Sequence, residues 1–155
     1  KHIQRGAALL TVLALLCTMT LPAAAASDTV TIATVQDFTN FSKQCTRDTW
    51  SQGLTVELTA DLDLSGSDFT RAIFQGTFHG NGHTISGLSF DKKGSKVGLF
   101  RTLTASAVVE DLTVEGDLSL GSASQAGLLV GENYGTVTRC AAQGSVTGQE
   151  DIAVW

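Results

Sequence analysis

The sequence predicts an all-β fold, a right-handed parallel β-helix closed at its N-terminal end by a short α-helix. Three observations predict it. The 155 residues include 16 glycines and one proline, and the glycines separate short runs of Val, Thr and Ser, as many brief strands and tight turns require. One apolar pattern recurs: Ile85/Leu88/Phe90 in TISGLSF, Val109/Leu112/Val114 in VVEDLTV and Val137/Cys140/Ala142 in TVTRCAA. The flanks recur with it: VGLF from Val97 precedes the second copy and AGLLVG from Ala126 precedes the third, with 29 residues from Gly98 to Gly127 and 28 from Val109 to Val137.

A straight strand keeps strict alternation of its two faces. A step of three that breaks parity at the same place in each copy therefore marks a bend. The repeat reads as about three short strands joined by bends. Such a unit buries its apolar face only when copies stack upon one another. The expected stack places Ile85, Val109 and Val137 in one interior file and Leu88, Leu112 and Cys140 in the next.

Taken in order, Lys1, His2 and Arg5 precede an apolar run from Ala7 to Leu16, followed by Ala23 to Ala26. A basic start, a short apolar core and a small-residue end predict a secretory signal peptide over 1–26, cleaved after Ala26. A membrane-spanning helix needs about 20 apolar residues, and this run is shorter and broken by Pro22. Leu16 is too bulky to precede a lipidated Cys17. The chain does not begin with Met, so its start is expected upstream.

Residues 27–53 read as an N-terminal strand and a capping helix. Val35, Phe38, Phe41 and Cys45 recur at steps of three and four. Thr34 is a natural N-cap with an acid, Asp37, three residues on, and Gly53 is the expected stop, which predicts a helix over 34–52. Its apolar face would cover strand edges that otherwise invite aggregation. Residues 54–155 read as the β-helix, expected to run on beyond Trp155. In LTVELTADLDL, Val56, Leu58, Leu62 and Leu64 face inward. In GENYGTVTRCAAQG, Gly131, Asn133 and Gly135 supply a corner, while Val137, Cys140 and Ala142 line the interior. That places Cys140 far from Cys45, so the two read as small buried apolar residues and not as a disulfide.

The net charge is −5, and no basic cluster follows the leader, which excludes nucleic acid and anionic membrane surfaces as partners. No membrane insertion is expected after cleavage. Chemistry-bearing residues are few. Asp61, Asp63, Ser65 and Gly66 match the start of a calcium loop, but Ala72 holds the position where a bidentate Glu is needed. His79 and His83 have metal spacing only on a helix, which HGNGH cannot form. His83 is expected to begin a strand with a turn hydrogen bond, and His79 to face solvent. Glu110, Asp111 and Glu115, with Arg101 and Arg139 as neighbours, are the acids a polysaccharide-cleaving β-helix would use. Stacking instead predicts that Arg139 bridges Glu110 or Asp111 between coils. Of the aromatics, Trp50 is expected to pack the cap helix, while Tyr134 is a better candidate than Trp155 for exposed binding. No residue is assigned as catalytic, cofactor-binding or metal-binding, and no cofactor is expected.

AGLLVGENYGTVTRCAAQGSVTG resembles the Gly-Leu-x-Gly (GLUG) repeat of bacterial secreted and surface proteins. FQGTFHGNGHTISGLSF resembles the segment that introduces those repeats, with His79 where an Asp is usual, and LTADLDLSG resembles the strand before it. Arg101 after Phe100 departs from the usual Phe-Gly. The resemblance covers Leu54 to Gly148. It implies a parallel β-helix in an exported surface protein and no enzyme activity of the repeats themselves. The expected function is a secreted, non-catalytic cell-surface scaffold for adhesion or binding, its partner an extracellular polysaccharide or a host or cell-surface protein. A carbohydrate-active enzyme or its binding module is the alternative, and a structural spacer is the second.

Overall fold

The computed structural model describes residues 28–90, 96–121, 125–148 and 153–154. The signal peptide expected over 1–26 and the aromatic Trp155 lie outside them. Strand β1 (Thr29–Ile32) leads into helix α1 (Val35–Gln44), and four coils follow. The first holds β2 (Thr55–Leu58), β3 (Leu62–Asp63) and β4 (Ala72–Phe74). The second holds β5 (Thr77–His79), β6 (Thr84–Phe90), β7 (Lys96–Val97) and β8 (Phe100–Leu103). The third holds β9 (Val108–Glu110), β10 (Thr113–Leu120), β11 (Gln125–Ala126) and β12 (Val130–Asn133). The fourth holds β13 (Thr136–Thr138), β14 (Ala141–Gly148) and β15 (Ala153–Val154).

Each strand pairs in parallel with its equivalent one coil away, giving sheets β1-β2-β5-β9-β13, β3-β6-β10-β14, β7-β11-β15 and β4-β8-β12. The chain is thus a parallel β-solenoid with one short helix near its N-terminus. A full coil carries four strands, not the three that the repeat suggests. The addition is the two-residue strand β7 or β11, which the apolar pattern is too short to show.

The interior files differ from the expected ones in one respect. Val56, Phe78, Val109 and Val137 stack in one file. Ile85 belongs to the next sheet, in file with Leu62, Val114 and Ala142. The cause is local. In the later copies the step of three is the corner between sheets, at Asp111 and Arg139, both with left-handed backbone. In the first copy it is a β-bulge at Ser86–Gly87, where Gly87 takes a φ of 72° and the register slips between Val114 and Gly116. Leu88 consequently lies opposite Gly116. Leu112 and Cys140 do share a file, since Ala141 donates its N–H to the Leu112 carbonyl. Val56, Leu58, Leu62 and Leu64 are all buried as expected.

Four phenylalanines make the centre of the core. Phe74, Phe78 and Phe100 lie with ring centroids 5.5 to 6.3 Å apart, and Phe41 of α1 sits 5.7 Å from Phe74 and 6.0 Å from Phe78. The helix start is the expected one: Thr34 Oγ1 accepts from the Asp37 N–H, and Asp37 accepts from the Thr34 N–H. Its end is earlier than Gln52. Cys45 is the C-cap, and residues 46–53 continue as turns, with Thr49 at a φ of 63°. Thr46, Asp48, Thr49 and Ser51 favour such turns because their side chains compete for backbone groups; Thr46 Oγ1 donates to the Lys43 carbonyl. These turns return the chain to the start of β2. They also give Ser51 a role, since its Oγ accepts the Gln75 N–H, while Ser42 Oγ of the helix accepts the Thr70 N–H. Two donors at the edge of the first coil are satisfied this way.

Gly131 and Gly135 serve a purpose other than the expected one. Neither has a positive φ. A side-chain carbon at Gly131 would stand 2.7 Å from the Val97 nitrogen, and one at Gly135 would stand 2.5 Å from the Ala107 carbonyl oxygen. Both are glycine because the coil beneath comes too close. Asn133 does shape the turn, accepting the Gly135 N–H at 2.9 Å.

Cys45 and Cys140 are free thiols, one in the cap and one in the fourth coil. Burial pushes the Cys45 thiol up to about 12 from an ordinary 9.0, and a Ser51 hydrogen bond opposes that only in part. A raised value means that the folded state favours the protonated thiol. The associated stability is complete below pH 9 and is lost as pH rises toward 12. Urea midpoints measured across that window should fall with pH, and Cys45→Ala should remove part of the slope.

Candidate functional site

The outer face of the first sheet carries a charged ladder. The register places Glu57, His79 and Glu110 in one file. His79 Nδ1 lies 2.7 Å from Glu110 Oε1, and Nε2 lies 3.8 Å from Glu57 Oε1. His79 is therefore held between two carboxylates and does not face solvent freely. The signal for this is the alignment of TFH with TVE from Thr55, which becomes visible only once the register is known. Asn81 ties the ladder down, donating to Glu57 Oε2 and to the Leu58 carbonyl.

Arg139 closes the ladder at the corner above. Its Nε donates to Asp111 Oδ1 at 2.6 Å, and Nη2 donates to Asp111 Oδ2 and Glu110 Oε2, both at 2.8 Å. Arg139 thus bridges both acids across one coil step, as stacking predicts. The Arg139 hydrogen bonds hold the Asp111 carboxyl below its ordinary range, and the Asp111 and then Glu110 bonds raise Arg139 above its own. Glu115 lies apart, on β10 opposite Gln143. Arg101 lies elsewhere too, acting on Glu132 and on Arg71. Glu115 and Arg101 therefore stand apart from the cluster of Glu110, Asp111 and Arg139.

His83 precedes β6, and its Nδ1 lies 3.0 Å from Asp61 Oδ1. The Thr84 N–H and then His83 lower the Asp61 value. Asp63 is lowered by the Ser65 hydroxyl and then by the Ser65 N–H. The two aspartates of the calcium-like stretch are thus engaged in separate local bonds. Among the described residues no three His, Cys, Asp or Glu side chains converge to hold a metal ion. Nor is any helix among them long and apolar enough to cross a membrane.

A second site lies at the C-terminal end of the stack, where a concavity of about 560 Å³ is floored by Leu128, Leu129, Val130, Val137 and Ala142. Tyr134 stands on its rim, 65% exposed. Its hydroxyl donates to Glu132 Oε1 at 2.9 Å, and Lys96 pairs with the other oxygen of Glu132. Lys96 foremost holds Glu132 below its ordinary value, and Glu132 in turn raises the Tyr134 phenol. The hydroxyl thus ties the exposed ring to Glu132. Trp50, in contrast, packs against Phe41 of the cap at 6.3 Å.

No family model matches the chain, and no solved structure matches it. Over 120 residues, 67% of the chain, it is 32% identical to Halomucin of Haloquadratum walsbyi, of which that stretch is 1%. Over 90 residues, 53% of the chain, it is 31% identical to a protein of Evansella cellulosilytica named as a Gly-rich membrane protein, of which that stretch is 10%. The chain is thus similar to a small part of each of these two much longer proteins.

Proposed function

We propose that this chain is an exported, non-catalytic β-helix module of a surface protein, a scaffold that binds an extracellular polysaccharide or a cell-surface protein. One observation carries the non-catalytic reading: the acids of the exposed ladder are bound to Arg139, His79 and Asn81 across successive coils. They act as fasteners between rungs. The leader-like sequence over 1–26 and the resemblance to Gly-Leu-x-Gly repeats support export. A relative named as a membrane protein supports a surface setting. A solenoid suits this role because each rung is fixed by its neighbours, which keeps long faces regular.

Incubating the purified chain with arrays of plant and host polysaccharides and with cell-surface extracts tests the reading. Retention on an array or an extract without release of reducing ends is the expected result. Turnover that disappears in Glu110→Gln or Asp111→Asn would instead establish the carbohydrate-active alternative.

A further inference from the structure

The outer side of the β4-β8-β12 sheet gathers three cations from two coils. Arg71 precedes β4, Lys96 opens β7 and Arg101 lies in β8. Arg71 Nη1 donates to the Lys96 carbonyl at 3.1 Å, and its guanidinium stands 5.7 Å from the centre of the Phe90 ring. Burial first and the Arg101 charge second lower Arg71 from its ordinary value, so the two guanidiniums are near neighbours of like charge. The adjacent Glu132 of β12 is taken up by Lys96 and by the Tyr134 hydroxyl. Among the described residues Arg101 has no hydrogen bond and no ion pair.

A bulge holds Arg101 outward. Ala72 pairs with Phe100, but Ile73 pairs with Thr102, which leaves Arg101 as the extra residue of β8. Phe100 and Leu103 are buried, while Arg101 and Thr102 between them both lie on the outer side. An extra residue of this kind re-aims a side chain. The equivalent position one coil on is Gly131, which offers no side chain to pair with it. Ile73, 41% exposed, lies on the same outer side opposite Thr102.

We infer that Arg71 and Arg101 clamp a carboxylate of an acidic extracellular polysaccharide. The inference rests on the polysaccharide-binding reading above. The planar fork of arginine matches a carboxylate as the point charge of lysine does not. Two forks on neighbouring strands, about 4.8 Å apart, approach one carboxylate from two sides, and its charge relieves their mutual repulsion. Ile73 supplies apolar surface for the C–H face of a sugar ring, and Thr102 supplies a hydroxyl. An acidic peptide is the poorer fit. Strand β8 is paired along both edges, so no free backbone ladder lies beside Arg101 for a peptide to extend. A polysaccharide needs none. The net charge of −5 repels an anionic polymer elsewhere on the surface. That confines the contact to this face and makes it weaken with salt.

Calorimetric titration of the full chain with polygalacturonate, its methyl ester and poly-glutamate tests it. Polygalacturonate should bind, the uncharged ester should not, and poly-glutamate should bind several-fold more weakly. Arg101→Gln and Arg71→Gln should each weaken binding by about tenfold, the worth of one charge-assisted hydrogen bond. Arg101→Lys should recover only part of the loss. Lys43→Gln removes the same charge from the exposed side of α1 and should change affinity less than twofold. Because Arg101 is exposed, its variants should keep the parent circular dichroism spectrum. Equal binding of the ester, equal loss in Lys43→Gln, indifference to Arg101→Gln, or tighter binding of poly-glutamate overturns the inference. Retention on neutral polysaccharides that ignores Arg101 would do the same, yet leave the scaffold reading standing. Retention on no array and no extract would end both.

Discussion

Phe41→Ala is expected to lower the stability of the fold by about 3–5 kcal/mol, the usual cost of emptying a buried aromatic site. Phe41 is 2% exposed and touches Phe38, Phe74, Phe78 and Trp50, so its ring joins the cap to the first two coils. Removing it opens a cavity that rigid aromatic neighbours cannot fill. It also loosens α1, whose Ser42 holds the Thr70 N–H. Urea unfolding followed by tryptophan fluorescence would read the loss through Trp50. Phe41→Leu, which keeps most of the volume, should cost under about 1.5 kcal/mol. If Phe41→Ala unfolded at the wild-type midpoint, the helix would not be the structural cap described above.

Gly116→Ala should cost about 3 kcal/mol, at the upper end of overpacking penalties. Gly116 sits mid-strand in β10, directly over the bulge at Gly87. An added carbon there would press into the Leu88 carbonyl oxygen and stand 2.5 Å from Leu88 Cβ and 2.9 Å from the Leu88 carbonyl carbon. Those atoms belong to a strand paired in register on both sides of the bulge, so neither strand can retreat alone. Gly121→Ala provides the control, because nothing lies within 4 Å of the added carbon. It should stay within about 0.5 kcal/mol of the parent. Midpoints of urea unfolding for the two variants test the comparison directly.

How much of this was readable beforehand varied with the kind of signal. The coiling itself was legible, because the spacing from Val109 to Val137 is the true pairing step and a backbone step repeats without regard to side chains. The N-cap at Thr34 was legible because it needs only two residues three apart. The helix end was not. Val35, Phe38, Phe41 and Cys45 mark one face, but Thr46 to Thr49 end the helix through backbone competition, which apolar spacing does not record. The position of Ile85 was misleading for a related reason. A bulge and a corner both produce a step of three, and apolar spacing alone does not tell them apart. The longer corner Gly80–His83, four residues where the third coil spends two, was the available clue.

The site followed the same rule. Arg139 beside Asp111 could be inferred because both occupy the same corner one coil apart. The pairing of His79 with Glu110 could not, because it follows from a file in which Phe78, and not Ile85, lies beneath Val109.

The aromatic cluster beneath α1 also sets how the molecule would yield under tension. Phe41 clasps the first two coils through Phe74 and Phe78, whereas the third coil is held to its neighbours by strand ladders and aliphatic packing. The third coil therefore peels away before the clasped pair. Its step from Val108 to Thr136 is 28 residues, which releases about 100 Å of slack at about 3.5 Å per residue. The portions are unequal, since Thr77 to Val108 spans 31 residues and Thr55 to Thr77 only 22, and resistance is greatest at the phenylalanines, where the molecule is fastened most firmly to itself.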